Sequence, residues 1–303
     1  MEFTVTRAEP GDREAVIELS RHFTDDYLEH TVDRWIGQEK GGLYLVWDAD
    51  LLIGCCSLCF PSSAEAWLQG MRVRPGYQGR GIAYQLNRYL IEQAKTGGAD
   101  AVRLLTHQNN HQALQVAQKL GFSAAGGQRE IIFRRELKPD APFESINGPV
   151  PRLCTTSEIN RAAYFLDNGP SFHNLQGFLF GPGFSYRRLT RMDLEQGIDN
   201  KQVYLFEERS QVRGILFVLR QEHENHLILS YLDAPLKNLP TTGNLFKAWS
   251  EEGYNHFTIN MITEQHQALT PTLKKLLGAY ECEQLLLMEK YLIPVNTNLN
   301  LDQ

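Results

Sequence analysis

A short glycine-bearing stretch, Gln78-Gly79-Arg80-Gly81-Ile82-Ala83, contains the residues best suited to bind an anion. It follows a strand-like run from Trp67 to Arg74 and begins a helical pattern that reaches about Lys95. A turn between a strand and a helix N-terminus points unpaired backbone N–H groups and the helix dipole at one place. The glycines allow a ligand to approach the backbone closely, and Arg80 adds a permanent positive charge. We therefore predict a phosphate-binding loop here and call residues 78–83 the anion loop.

The spacing in the anion loop distinguishes between the types of phosphate loop. No Lys-Ser or Lys-Thr pair follows, so it is not the Gly-x-x-x-x-Gly-Lys-Ser/Thr loop. Tyr84 occupies the position where a dinucleotide-binding loop needs its third small residue. The stretch does match Gln/Arg-x-x-Gly-x-Gly/Ala, through Gln78, Gly81 and Ala83.

Three segments in order carry a resemblance to a known family. The anion loop is preceded by Val73-Arg74-Pro75 and followed by Asn110-x-x-Ala113 and Lys119-Leu120-Gly121-Phe122. With these segments the chain resembles the GNAT superfamily of acyl-CoA N-acyltransferases. The resemblance implies acetyl-CoA as the cofactor and an amine as the acceptor, with direct transfer and no covalent enzyme intermediate.

The resemblance also implies which residues bind the cofactor. The anion loop, Gln78, Gly79, Arg80, Gly81, Ile82 and Ala83, would bind the pyrophosphate. The backbone of Met71, Arg72 and Val73 would pair with the pantetheine amides. The Val73 N–H would also face the thioester oxygen as an oxyanion donor, and Asn110 would reach the cofactor.

The residues expected to transfer protons differ from those of many family members. Many members of the family carry a glutamate where this chain has Gln69, and Gln69 could instead orient a water that passes the proton on. Many also carry a tyrosine, the acid for the leaving thiolate, at the position of Ala117. His107 ends a predicted strand close to that place, so it is a candidate acid or base. A solvent-exposed loop histidine is an equally good interpretation of His107.

Asp26 and Tyr27 lie in the segment that covers the acceptor side in this family. Acidic and aromatic groups would suit a cationic amine or an imidazole ring, while an ordinary solvated helix face is an equal alternative. The segment from Asp26 to Trp35, with Gln69 to Val73, also faintly resembles the histidine N-acetyltransferase-like group. In that group the position of Gln69 is a glutamate.

Composition sets the wider limits. The chain has 303 residues, 42% of them hydrophobic and 22% charged, as in soluble globular proteins with two domains. A net charge of −6 argues against nucleic-acid binding, and no apolar run approaches a membrane span. Five cysteines without framework spacing favour a reducing, cytoplasmic location. No metal site is predicted, since Cys55, Cys56 and Cys59 alternate on a strand and His107 and His111 lie on different elements.

The order of elements predicts a mixed α/β fold, an α+β mixed sheet present as tandem GNAT-like copies. Residues 1–137 form the cofactor-binding copy, in which Glu130 to Glu136 is the last strand. A proline-rich linker covers residues 138–156, and residues 157–303 repeat the order of the first copy. Where the first copy has its anion loop, the second has Ala234 to Pro240, without a glycine pair or an arginine. The second copy is therefore expected to be degenerate and not to bind CoA in this way.

The function expected is N-acetylation of a small molecule or an amino acid. One alternative is a non-catalytic acyl-CoA-binding or partner-binding module, because the family's tyrosine and glutamate are missing. A second is an acetyltransferase acting on protein N-termini or lysines. Homo-oligomerisation is left open.

Overall fold

The structure is a computed structural model, and it describes residues 3–24, 26–126, 128–136, 150–168, 177–181, 184–221, 224–278 and 280–292. The chain divides into two compact units. Unit 1 consists of Met1–Ala124 and Met288–Thr297, and unit 2 of Ala125–Leu287 and Asn298–Gln303. The predicted linker falls mostly in residues 137–149, outside the described residues, so the predicted boundaries at 137 and 157 stay a prediction.

Unit 1 contains four helices and six complete strands among its described residues. In chain order they are β1 (Thr4–Arg7), α1 (Arg13–Ser20), α2 (Leu28–Ile36), β2 (Gly42–Asp48), β3 (Leu51–Ser62), β4 (Glu65–Val73), α3 (Ile82–Thr96), β5 (Ala101–His107), α4 (His111–Lys119) and β6 (Ser123–Ala124).

The sheet of unit 1 runs β1-β2-β3-β4-β5, with antiparallel neighbours from β1 to β4. Strand β5 joins β4 in parallel, because the helix α3 carries the chain back across the sheet before β5 begins. Strand β15 (Glu283–Tyr291) contributes its C-terminal part to this unit, where Met288 and Glu289 pair with β6. The prediction of a mixed α/β sheet is confirmed.

The first two helices of unit 1 each follow an acidic residue. A single 3-10 turn, Pro10–Asp12, precedes α1, and α2 begins at Leu28, two residues after Asp26. The Asp26 carboxylate accepts the Leu28 N–H at 3.1 Å, so this aspartate lies before the helix and binds one of its free donors.

The first core cluster lies between α1, α2 and strands β2 and β3. It is built from aliphatic side chains with Trp35, which is 1% exposed. A second buried feature of unit 1 is polar: Arg103, on β5, contacts both Glu65 and Glu289. Two carboxylates on one buried guanidinium tie the start of β4 and the end of β15 to β5. Glu65 is thus part of a structural ion pair.

Unit 2 contains the remaining elements. They are β7 (Arg129–Glu136), β8 (Arg152–Leu153), α5 (Ile159–Asn168), β9 (Phe178–Gly181), β10 (Ser185–Arg188), α6 (Arg191–Asp199), β11 (Val203–Glu208), β12 (Gln211–Gln221), β13 (His226–Asp233), α7 (Gly243–Glu251), β14 (His256–Ile262), α8 (Thr263–Leu277) and the first part of β15.

The sheet of unit 2 repeats one feature of unit 1. Strands β11, β12 and β13 are antiparallel, and β14 then joins β13 in parallel, as β5 joins β4. The strand expected to close the first copy, β7, instead pairs with β14 and with the start of β15 in unit 2. Alternation along a sequence predicts that a strand forms but not its partner, which explains the difference.

A 3-10 turn, Thr156–Glu158, leads into α5 in unit 2. The arginine side chains at 152 and 161 both contact the Glu158 carboxylate. Hydrogen bonds from Arg152 and Thr155 lower the pKa of this carboxyl to about 2. In the same unit, β9 pairs with β10.

Among the described residues, no helix combines the length and the apolar character that crossing a lipid bilayer requires.

Candidate functional site

Strand β4 carries a bulge beside the predicted site. Cys55 pairs with Arg72, but Ser57 pairs with Gln69, so β4 has one residue more than β3 over this interval. Gly70 lies in the bulge with φ of +70°, a conformation that favours glycine. A Cβ on Gly70 would lie 2.5 Å from the Trp35 ring, which packs directly against this backbone. Glycine at position 70 therefore serves both the bulge and the close packing of the tryptophan.

Beyond the bulge, one edge of β4 is open. Pairing with β5 runs from Glu65 to Leu68, and the described residues show no β5 partner for the remainder of β4. On the other side the Arg74 N–H donates to the Ile53 carbonyl at 2.8 Å, which sets the alternation of the antiparallel ladder. By that alternation the backbone N–H of Val73 points away from β3, toward the open edge.

The anion loop connects β4 to α3. Gly79 and Gly81 have φ of +77° and +80°, so both adopt the left-handed conformation for which glycine is favoured. Gly81 is the N-cap of α3, and no side chain caps this helix. In the part of the chain that the structure describes, the backbone N–H groups of residues 79–83 have no hydrogen-bond acceptor. The loop therefore presents free donors at the positive end of a helix of 15 residues.

Three side-chain contacts support the loop. The Tyr77 hydroxyl donates to Asp48 at 2.9 Å, and the Arg80 guanidinium lies 4.7 Å from the centre of the Tyr77 ring. The Gln78 side-chain amide donates to the Val73 carbonyl at 3.2 Å. The sequence analysis did not identify Tyr77 and Asp48 as residues that support the loop. A tyrosine inside a glycine-rich turn could have indicated this role, because glycine, proline and small polar residues are the usual turn formers.

The predicted cofactor-binding asparagine has a structural role. Asn110 is the N-cap of α4, and its side-chain oxygen accepts the Ala113 N–H at 3.1 Å. Its side-chain NH₂ group could still donate to a ligand. Ala117, where many family members have a tyrosine, is 1% exposed.

The two candidate proton carriers lie on different strands. Gln69 is on β4 at the bulge, where its amide lies 3.9 Å from the Cys59 sulfur. His107 is the last residue of β5 and is exposed, and its carbonyl accepts the Asn110 N–H at 2.9 Å. Both residues are therefore on strands that flank the open edge, and their roles stay predictions.

The predicted acceptor residues are engaged with Arg72. The Asp26 carboxylate accepts two hydrogen bonds from the Arg72 guanidinium, at 2.8 and 2.9 Å, and its side chain is 3% exposed. Burial lowers the pKa of Arg72, but the hydrogen bonds to Asp26 and the electrostatic interactions with Tyr27, Asp26 and Cys55 together outweigh it, so the pKa of Arg72 is raised. The same guanidinium lies 5.2 Å from the centre of the Tyr27 ring. The acidic group proposed for a cationic acceptor is therefore already neutralised by an arginine.

The corresponding region of unit 2 has a different backbone. Strand β13 is followed by a 3-10 helix, Leu236–Thr242, that contains Pro240, and α7 then begins at Gly243. Between residues 234 and 243, all of them described, no residue has the positive φ seen in the anion loop.

Comparisons with known proteins agree with this geometry. Residues 13–122 match the model of the acetyltransferase (GNAT) family. The spore coat polysaccharide biosynthesis protein SpsD of Bacillus subtilis is 30% identical over 144 residues, which are 40% of this chain and 47% of that relative. This chain thus spans less than half the length of SpsD. An uncharacterized N-acetyltransferase of the same organism, YvbK, is 27% identical over 115 residues, 38% of this chain and 68% of that protein.

A solved structure shows the same fold over nearly the whole chain. It is a GCN5-related N-acetyltransferase from Sphaerobacter thermophilus, with a TM-score of 0.60 and 14% identity, and the match covers 96% of each chain. The family match spans α1 to α4, and thus includes the bulge, the open edge of β4 and the anion loop. Residues 13–122 of this chain thus match the acetyltransferase (GNAT) family in sequence.

Proposed function

We propose that this protein transfers an acetyl group from acetyl-CoA to the amine of a small molecule or an amino acid. The observation that carries the proposal is the anion loop, with its two left-handed glycines and free N–H groups, directly beside the open edge of β4. Phosphate binding and pairing with an extended amide chain are the two tasks that CoA demands of a protein.

The described residues fit this cofactor. The free N–H groups of residues 79–83 suit a pyrophosphate, and a Cβ built on Gly79 has no neighbour within 4 Å, so the space around the loop is open. Arg80 adds a positive charge, and its contact with Tyr77 keeps it at the loop. The open edge at Met71 and Val73 suits the amides of pantetheine.

Acetyl-CoA supplies an activated acetyl group when it is bound. The residues of this chain would position the acetyl group and stabilise developing charge. The Val73 N–H, which points to the open edge, would donate to the thioester oxygen. Gln69 or His107 would guide the amine proton away, either directly or through a water molecule.

The ion pair of Arg72 with Asp26 narrows the range of acceptors that the protein would bind. A carboxylate with two short hydrogen bonds from arginine attracts a cationic amine far less than a free one. We therefore propose that the aromatic surface of Tyr27, 45% exposed, contributes more to acceptor binding than the charge of Asp26. Amino sugars deserve a place among the acceptors tested, because the relative SpsD is a polysaccharide biosynthesis protein.

A non-catalytic acyl-CoA-binding module is the second candidate. It is favoured by the buried Ala117 and by Gln69, which stand where many family members have an acid and a base. Such a module would bind acetyl-CoA at the same loop but would not speed its reaction with an amine.

A thiol-release assay separates the two candidates. The protein is mixed with acetyl-CoA and, in turn, amino acids, polyamines, aminoglycosides and amino sugars, and free CoA is measured with a thiol reagent. The proposal predicts amine-dependent release with at least one class, and acetylation of that amine by mass spectrometry. CoA binding without release for any amine would favour the non-catalytic module.

A further inference from the structure

Unit 2 contains a cluster of three metal-ligand side chains that the acetyl-transfer site does not use. Glu130 on β7, His266 in the first turns of α8 and Cys282 just before β15 converge, with one ligand atom from each within 4.8 Å of the others. Glu130 lies more than a hundred residues before the other two along the chain, so no sequence spacing could indicate the cluster. Strand pairing brings them together, because Glu130 pairs with Gln284 across β7 and β15.

The distances from the cysteine are close to those between two ligands of one zinc ion. The Cys282 sulfur lies 3.9 Å from both the Glu130 carboxylate oxygen and the His266 Nδ1 atom, and those two atoms are in direct contact. Zinc–sulfur and zinc–nitrogen bonds of ~2.3 and ~2.0 Å place a sulfur and a nitrogen ligand roughly 3.6 Å apart. A metal ion could therefore bind all three atoms once the Glu130 and His266 side chains move apart to admit it.

Contacts on both ring nitrogens hold the His266 ring beside the cluster. Its Nε2 atom lies 2.9 Å from the Tyr280 hydroxyl, and its Nδ1 atom contacts the Glu130 carboxylate. Metal-binding histidines are commonly held through their second nitrogen, which here is Nε2, so Nδ1 is the atom that would bind a metal ion.

The carboxylate is held in a similar manner. The side chain of Glu130 is 4% exposed, and its other oxygen accepts the Gln284 amide at 3.4 Å. A carboxylate with so little contact with solvent needs a positive charge beside it, and a bound metal ion would supply one.

We propose that Glu130, His266 and Cys282 form a binding site for one divalent metal ion of the zinc class. A donor set of one carboxylate oxygen, one imidazole nitrogen and one thiolate suits Zn²⁺, and it leaves a fourth position for water or another ligand. The competing account is a hydrogen-bonded trio in which a charged His266 neutralises Glu130.

Cobalt provides the test, because a thiolate bound to Co²⁺ gives a charge-transfer absorption band. The whole chain is freed of metal with a chelator, titrated with Co²⁺ and then with Zn²⁺. The proposal predicts one Co²⁺ per chain with this band, displacement by Zn²⁺, and slower alkylation of Cys282 when Zn²⁺ is present. None of these readouts depends on acetyl transfer.

Matched variants locate the site. Cys282→Ser should abolish the band, and His266→Gln should weaken binding by ~10-fold or more. Cys154→Ser and His256→Gln change the same residue types elsewhere in unit 2 and should bind as the parent does. Should Glu130→Gln fail to fold by circular dichroism, Cys282→Ser decides alone. No stoichiometric binding in the parent, or an unchanged band in Cys282→Ser, would overturn the proposal in favour of the hydrogen-bonded trio.

Discussion

A single charge placed in the anion loop should reduce CoA binding by an amount that the structure lets us estimate. Gly81→Glu adds a carboxylate at the N-terminus of α3, where the nearest atom to a new Cβ is the Gln85 amide nitrogen at 3.9 Å. Two like charges 4 Å apart repel by ~1 kcal/mol in water and ~4 kcal/mol at the effective dielectric of a protein surface. The affinity for CoA should therefore fall between roughly 5-fold and several hundred-fold.

Gly81→Gln is the matched control, since the glutamine side chain has the same shape as glutamate but no charge. Both variants require a side chain at φ of +80°, with the same backbone cost of ~1–2 kcal/mol. Their stabilities in urea unfolding should therefore differ only by the ~0.3–1 kcal/mol that a negative charge gains at a helix N-terminus, in favour of the glutamate variant. Calorimetric titration with CoA at low salt should give a weaker affinity for the glutamate variant, and the difference should shrink at high salt. Equal affinities for the two variants would refute pyrophosphate binding by this loop.

Three further predictions concern single residues. His107→Ala should lower turnover by ~100-fold or more and leave CoA affinity unchanged if its imidazole moves the proton; steady-state rates and calorimetry measure both. Gly70→Ala should be less stable than Gly79→Ala by ~1–3 kcal/mol in urea unfolding, since both have positive φ but only the first meets Trp35. Glu158→Gln should be less stable than the parent at pH 7, with the difference lost as the pH falls. The pKa of this glutamate is about 2 in the folded chain and ~4.3 unfolded, so its ion pairs stabilise fully above ~4.3 and fade toward 2.

Each of these predictions has a result that contradicts it. Near-parental turnover in His107→Ala would remove the imidazole from the mechanism and leave Gln69 and water. Equal stability of the two glycine variants would mean that the Trp35 ring moves aside without cost. A stability difference for Glu158→Gln that persists near pH 3 at its pH 7 value would show that packing, not charge, is responsible.

The local features of unit 1 could be predicted because short-range chemistry determines them. Glycines at 79 and 81 between a strand and an amphipathic helix leave few conformations other than a left-handed turn. The strands β2 to β5 follow from the alternation of apolar and polar residues and from the turn residues that bound them.

Long-range pairing could not be predicted from the same information. The contact between Asp26 and Arg72 joins residues 46 positions apart, and nothing in either segment identifies the partner. From the sequence alone, Asp26 was therefore expected to be a free acidic group. The pairing of β7 with β14 is similar, because any strand with suitable alternation can pair with several edges. The cluster of Glu130, His266 and Cys282 depends on that pairing and was invisible for the same reason.

Amide hydrogen exchange with and without CoA shows directly whether the anion loop and the open edge of β4 bind the cofactor. The N–H groups of residues 79–83 have no acceptor among the described residues, so they should exchange fast in the free protein and slowly with CoA bound. We expect CoA to slow exchange in residues 71–83 and to leave Leu236–Thr242 unchanged, and we expect calorimetry to give one CoA per chain. Protection confined to unit 2, or two equivalent CoA sites per chain, would contradict it.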